Sequence, residues 1–110
     1  MSEQFVTSLE LFESDGIYPI EMDKNALLLI RHQGKYHLIE NKCGHFGVRM
    51  ERGRVENNQI FCPEHGISFD LDSGHVVNRP YENCDPVKIL TIRIVDNNLY
   101  WLAESGSTKT

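Results

Sequence analysis

Short apolar runs alternate with clusters of Gly, Asn, Asp and Ser along this chain, the punctuation of an antiparallel β protein. "FVTSLELF" (5–12) is the first candidate strand. "ALLLIRH" (26–32) and "YHLIEN" (36–41) flank Gln33-Gly34-Lys35 and predict a hairpin. "GRVE" (53–56) and "QIFC" (59–62) flank Asn57-Asn58, a pair that tolerates the left-handed backbone a tight turn requires. "ISFDL" (67–71) and "HVVN" (75–78) flank Asp72-Ser73-Gly74, and "VKILTIRIV" (87–95) and "LYWLA" (99–103) flank Asp96-Asn97-Asn98. No stretch sustains an amphipathic helical period, and β-branched and aromatic residues crowd the apolar runs. The expectation is an all-β fold, a small antiparallel β-sandwich or barrel.

The 110 residues suit one domain, and 40% apolar residues with ten aromatics suffice for a core. There is no repeat, low-complexity stretch or linker, so residues 1–110 read as a single domain with frayed ends at 1–4 and a flexible tail at 104–110. A net charge of −5 without a basic stripe argues against nucleic acid as a partner. The charge is uneven: residues 40–66 carry Lys42, Arg49, Arg52 and Arg54 against Glu40, Glu51, Glu56 and Glu64, a neutral stretch on an acidic body. The first residues are acidic where a secretory leader would be basic, and the longest aliphatic run, Ala26–Ile30, is far short of the ~20 residues of a membrane span. A cytoplasmic protein with no membrane partner is expected. Three cysteines are an odd number for a disulfide framework, which makes Cys43 and Cys62 better candidates for ligands than for a bridge.

Two Cys/His pairs hold the candidate chemistry. Cys43-Gly44-His45 follows one predicted strand, and Cys62-Pro63-Glu64-His65-Gly66 lies between two others, with sixteen residues between the pairs. The Asn57-Asn58 turn lets the intervening chain fold back, so both pairs can meet at one end of the sheet. Thiolate and imidazole together suit zinc, iron or copper rather than magnesium or calcium. Zinc knuckles commonly leave at least two residues between ligands. In extended chain the i and i+2 residues project to one side with Cα atoms about 6–7 Å apart, so Cys43-x-His45 fits two neighbouring metals at least as well as one shared ion. On spacing alone a structural zinc and a two-metal site both remain open.

The spacing C-x-H, sixteen residues, C-x-x-H-G resembles the two-box motif of Rieske-type [2Fe–2S] proteins. Box one here is Cys43-Gly44-His45-Phe46-Gly47 and box two is Cys62-Pro63-Glu64-His65-Gly66. The likeness extends over about 26–103, through Phe69, "DLDSG" (70–74), the proline-containing loop "NRPYENCDP" (78–86) and the final hairpin. It implies a Rieske-like antiparallel sandwich with a cluster-binding subdomain of loops and short strands at about 41–84. It also implies one [2Fe–2S] cluster, with Cys43 and Cys62 on one iron and His45 and His65 on the other. High-potential members carry a further cysteine in each box, joined by a disulfide, and serine and tyrosine hydroxyls aimed at sulfur. The matching positions here are Val48 and Glu64, and Ile67 and Phe69, so the resemblance implies a low-potential centre.

By the same resemblance the chain is a ferredoxin that passes single electrons from a flavin-dependent reductase to a terminal oxygenase, His45 and His65 marking the docking tip beside Phe46. A small subunit of a larger reductase, of the nitrite-reductase kind, and a zinc-binding interaction domain are the alternatives. No nucleophile-and-base constellation is visible, so intrinsic catalysis is not expected. His32 and His37 have an H-x4-H spacing, but they straddle a hairpin turn and read as cross-strand surface histidines; His75 reads as structural. Cys84 lies in the loop expected to cover the cluster and reads as an incidental thiol, with Pro80 shaping that loop. Gly44, Gly47 and Gly66 allow close backbone approach, and Tyr100 and Trp101 read as packing residues.

Overall fold

Ten strands form among the residues that the structure, a computed structural model, describes: 2–22, 25–42, 49–63, 67–77 and 85–103. In chain order they are β1 (Ser2–Ser8), β2 (Gly16–Met22), β3 (Asn25–His32), β4 (Lys35–Glu40), β5 (Arg54–Glu56), β6 (Gln59–Phe61), β7 (Ser68–Asp70), β8 (Ile89–Leu90), β9 (Ile92–Val95) and β10 (Asn98–Ala103). All pairings are antiparallel and make three sheets, ordered β1-β10-β9, β2-β3-β4-β8 and β5-β6-β7. The all-β expectation is borne out. No helix among the described residues is long and apolar enough to cross a membrane.

The unbroken aliphatic run of β3 explains the layering. Side chains alternate across a strand, so a run without polar interruption must be covered on both faces. Leu28 and Ile30 bury one face against Met50, Ile60, Phe69 and Leu71, on the side of the β5-β6-β7 sheet. Leu27 and Leu29 bury the other against Leu9, Leu90 and Leu99, on the side of the β1-β10-β9 sheet. Ile39 and Leu38 of β4 divide in the same way. The four-stranded sheet is thus the middle layer. Each of these side chains, wholly buried, contributes about 1.5–3 kcal/mol relative to exposure.

Three hairpins turn through two left-handed residues each: Gln33-Gly34, Asn57-Asn58 and Asp96-Asn97, all with φ between 52° and 79°. These are the turns whose twist matches that of paired strands. Four expectations need correction. The run 75–78 forms no strand within its described residues, only an isolated bridge between Val76 and Phe69. The run 5–12 is not one strand: β1 ends at Ser8, whose hydroxyl accepts from Glu10 N–H (3.3 Å) and starts a 3-10 turn over Leu9–Leu11. The run 87–95 divides at Thr91, because β8 pairs with β4 while β9 pairs with β10 in another sheet. Strand β2 was not anticipated. Its Pro19 argues against a central strand, and it is tolerated because β2 lies at the sheet's edge, paired only with β3 among the described strands.

Candidate metal centre

Box two grows directly out of the β6–β7 hairpin. The Cys62 N–H donates to the Ile67 carbonyl at 2.7 Å, one step beyond the Phe61–Ser68 pair. Four residues, 63–66, are therefore left to join the two strands. Cys62 is 2% exposed and lies in the same buried cluster as Ile60, Ile67 and Phe69. Burial in apolar surroundings disfavours a thiolate, which becomes stable there only beside positive charge. A metal ion supplies that charge, so the one candidate ligand within the described residues fits a thiolate-bound metal.

Cys43, His45 and His65 lie outside the described residues, as do Gly44, Phe46, Gly47, Val48, Glu64, Gly66, Pro80 and Cys84 and the tail 104–110. What is described is where their segments leave and rejoin the framework. Segment 43–48 leaves just after β4 and returns at Arg49-Met50. Gly53 N–H donates to the Met50 carbonyl at 3.0 Å, and a methyl group on Gly53 would overlap the Phe61 carbonyl oxygen. The return point is therefore beside the end of β6, next to Cys62. Segment 78–84 leaves after Val77, whose N–H donates to the Ser68 carbonyl at 2.9 Å. It returns through Val87, whose N–H donates to the Gly74 carbonyl at 2.9 Å. The described flanks of the two boxes and the point where segment 78–84 departs thus converge at the end of the small sheet where β6 meets β7.

Side chains hold these flanks. Asn41, just past β4, is 3% exposed. Its Oδ1 accepts from Met50 N–H (2.7 Å) and its Nδ2 donates to Glu51 Oε1 (2.6 Å), while its own N–H reaches the Ala26 carbonyl (2.9 Å). Arg49 donates through Nε to the same Glu51 oxygen (3.2 Å) and through Nη2 to Glu21 on β2 (2.9 Å). The Asn41 amide first, then the Arg49 guanidinium, hold the Glu51 carboxyl below the usual carboxylate range. On the far side of the hairpin, Asp70 accepts from the N–H groups of Ser73 (2.8 Å) and Asp72 (3.1 Å), which lowers its carboxyl and shapes the turn ending at Gly74 (φ 83°).

His37 is not a surface residue. It faces Ile30 across β3–β4 and is 5% exposed, packed at the hairpin next to the 70–74 turn; His32 is opposite Lys35, so the two histidines do not pair. His75 is exposed, its backbone bonded to Ser73 and Asp70. Tyr100 stacks edge-on against Phe5, and Trp101 packs against the Leu29–Leu99 core. Sequence reasoning missed Asn41, assigned to the end of a strand, and the structural demand on Gly53 and Gly74. The signal for Asn41 was present: an amide side chain two residues before the first cysteine suits a loop base better than a strand.

An apolar scaffold that gathers a buried cysteine and the flanks of two Cys/His boxes at one end is built to seat a metal cluster. The chain belongs to the Rieske [2Fe-2S] domain family, which it matches over residues 3–96. That family's cluster is coordinated by two cysteines and two histidines. The 3-phenylpropionate/cinnamic acid dioxygenase ferredoxin subunit of Photorhabdus laumondii is 28% identical over 101 residues, covering 91% of this chain and 93% of that protein. Human apoptosis-inducing factor 3 is 24% identical over 98 residues; the match covers 89% of this chain but only 16% of that protein. The solved ferredoxin of carbazole 1,9a-dioxygenase from Nocardioides aromaticivorans superimposes with a TM-score of 0.81 at 18% identity, over 94% of this chain and all of that one.

Proposed function

We propose that this protein is a one-electron carrier whose [2Fe–2S] cluster is held by Cys43 and Cys62 on one iron and by His45 and His65 on the other. The observation that carries the reading is Cys62, sealed at the mouth of the β6–β7 hairpin with the described flanks of the other box beside it. When bound, the cluster supplies reversible uptake of a single electron. Two thiolates, rather than four, balance two ferric ions and two sulfides to neutrality, which eases reduction. The residues following box two set the surroundings. Ile67 and Phe69 are wholly buried and bring no hydroxyl towards sulfur; they exclude water and leave the reduced state less stabilised. The expected partners are a flavin-dependent reductase as donor and a terminal oxygenase as acceptor, in keeping with the ferredoxin subunit covered along 93% of its length. The cluster-binding part is assigned to about 41–84 of a single domain, and the protein transfers electrons without substrate chemistry of its own, in the cytoplasm.

A second reading, a subunit or module of a larger redox enzyme, is favoured by the match to 16% of a longer protein. It predicts stable co-purification rather than transient exchange. Anaerobic purification with iron and sulfide analysis, followed by EPR of the dithionite-reduced protein, tests the cofactor. Equal iron and sulfide with a low-average-g rhombic signal is expected. Colourless protein holding a single zinc overturns the electron-carrier reading.

A further inference from the structure

Asn41 makes the side-chain contacts at the base of the segment that carries Cys43 and His45. Each end of its amide has a partner and its orientation is fixed by them: an N–H of Met50 demands the oxygen, and the Glu51 carboxylate demands the nitrogen. One side chain therefore ties the end of strand β4 to Met50 and Glu51, on the returning side of the segment. Its main-chain N–H ties the same point to Ala26 at the edge of β3. Arg49 extends the tie to Glu21 on β2 through Glu51. The positions at which high-potential relatives join the two boxes by a disulfide are Val48 and Glu64 here, so no covalent bridge spans the boxes at those positions.

We propose that Asn41, through Met50 and Glu51, is the positioning residue that keeps Cys43 and His45 in register for the cluster, bracing the two ends of their segment by hydrogen bonds. The inference rests on the ligand assignment proposed above. A buried amide with both ends bonded holds one geometry; a lost partner leaves a buried polar group unsatisfied, and the segment can relieve that only by shifting.

The test exploits the polarity of the pair. Asn41→Asp sets two carboxylates against each other. Glu51→Gln keeps an acceptor for the Asn41 amide. Combining the two substitutions reverses the hydrogen bond, since the new amide donates to the new carboxylate while the latter still accepts from Met50 N–H. Cluster release to a chelator is followed on the reduced and oxidised holoprotein by visible absorbance, with EPR of the reduced form and a denaturant melt of each variant. Asn41→Asp is expected to speed release at least tenfold and to split or broaden the EPR signal, and the double substitution to restore both to within about threefold of the wild type. Release must rise by more than the change in global unfolding predicts; a purely structural role would move the two together and would overturn the proposal. So would a double variant no better than Asn41→Asp. Wild-type protein that takes up no cluster would end the ligand assignment and this inference together, whereas a normal wild-type spectrum with indifferent variants would end this inference alone.

Discussion

His37 should make the fold acid-sensitive in a window set by burial. The ring lies between the β3–β4 hairpin and the turn that follows β7, with Asp72, Lys35 and His32 around it, Asp70 within electrostatic reach, and the Leu71 backbone hydrogen-bonded to it. Its Nε2 is buried without a hydrogen-bond partner among the described residues. Burial first, then the positive charge of Lys35 and the nearness of His32, hold the imidazole below its ordinary value of 6.5; Asp72 and the Leu71 bond oppose this without prevailing. Below pH 6.5 the unfolded chain therefore takes up a proton that the folded protein refuses. Stability contributed by neutral His37 is full above that pH and declines as pH falls towards the folded value, with a slope of at most about 1.4 kcal/mol per pH unit. For a domain of this size that slope is worth roughly 5–10 °C of melting temperature per unit. The perturbation is His37→Asn, which keeps an N–H for the Leu71 carbonyl and cannot titrate. Urea melts of both proteins between about pH 7.5 and 5.5 isolate the term, because every other histidine contributes equally to each. The wild type should lose stability faster than the variant below pH 6.5. Parallel curves refute the reasoning.

Gly74→Ala places a methyl group into the Val87 carbonyl oxygen at a residue with φ of 83°, and should cost roughly 2–3 kcal/mol through left-handed strain and the weakened Val87–Gly74 bond, read from the urea midpoint. Leu28→Ala and Leu29→Ala, neighbours on opposite faces of β3, should each cost about 2–5 kcal/mol in the same melt; a tolerant member of the pair would contradict burial on both faces. Protein-film voltammetry should find a midpoint near the bottom of the roughly −150 to +300 mV Rieske span, since Ile67 and Phe69 offer no hydroxyl, and a value well above zero would refute that account.

What was legible in the sequence was local. Asn57-Asn58, Asp96-Asn97 and Gly34 announce tight turns because few residues other than Gly, Asn and Asp accept positive φ, and the strands flanking the first and last of these, 53–56, 59–62, 26–32 and 36–41, follow to within a residue or two. The Cys/His pairs announce ligand chemistry for an equally local reason, since few other side chains supply thiolate and imidazole at such spacing. What was not legible depended on residues far apart in the chain. Pro19 counts against a strand until β2 is known to be an edge. Residues 87–95 look continuous until β8 and β9 are seen to serve different sheets. His37 reads as a hairpin-surface residue because its cover, the turn around Leu71 and Asp72, comes from more than thirty residues away. Asn41 reads as a strand end because its partners lie beyond the segment that it braces.

These long-range contacts also explain how so small a sheet can present ligands. β5, β6 and β7 have three residues each, too few to be stable as an isolated sheet. Their inward side chains, Ile60, Phe69 and neighbouring Leu71, complete a core begun by Leu28 and Ile30, and Cys62 belongs to that same core. The candidate cluster end is therefore continuous with the middle sheet, and a change at Ile30 should be felt at Cys62. Electron transfer favours surroundings whose arrangement survives the change of charge, which is the preorganisation that a packed seat provides. Cys62 takes its rigidity from apolar packing. The described flanks of the opposite box, Asn41, Arg49 and Glu51, are held by hydrogen bonds. Packing and hydrogen bonding thus hold the described flanks of the two boxes to different degrees, so truncation at Ile30 and substitution at Asn41 should act on cluster release separately.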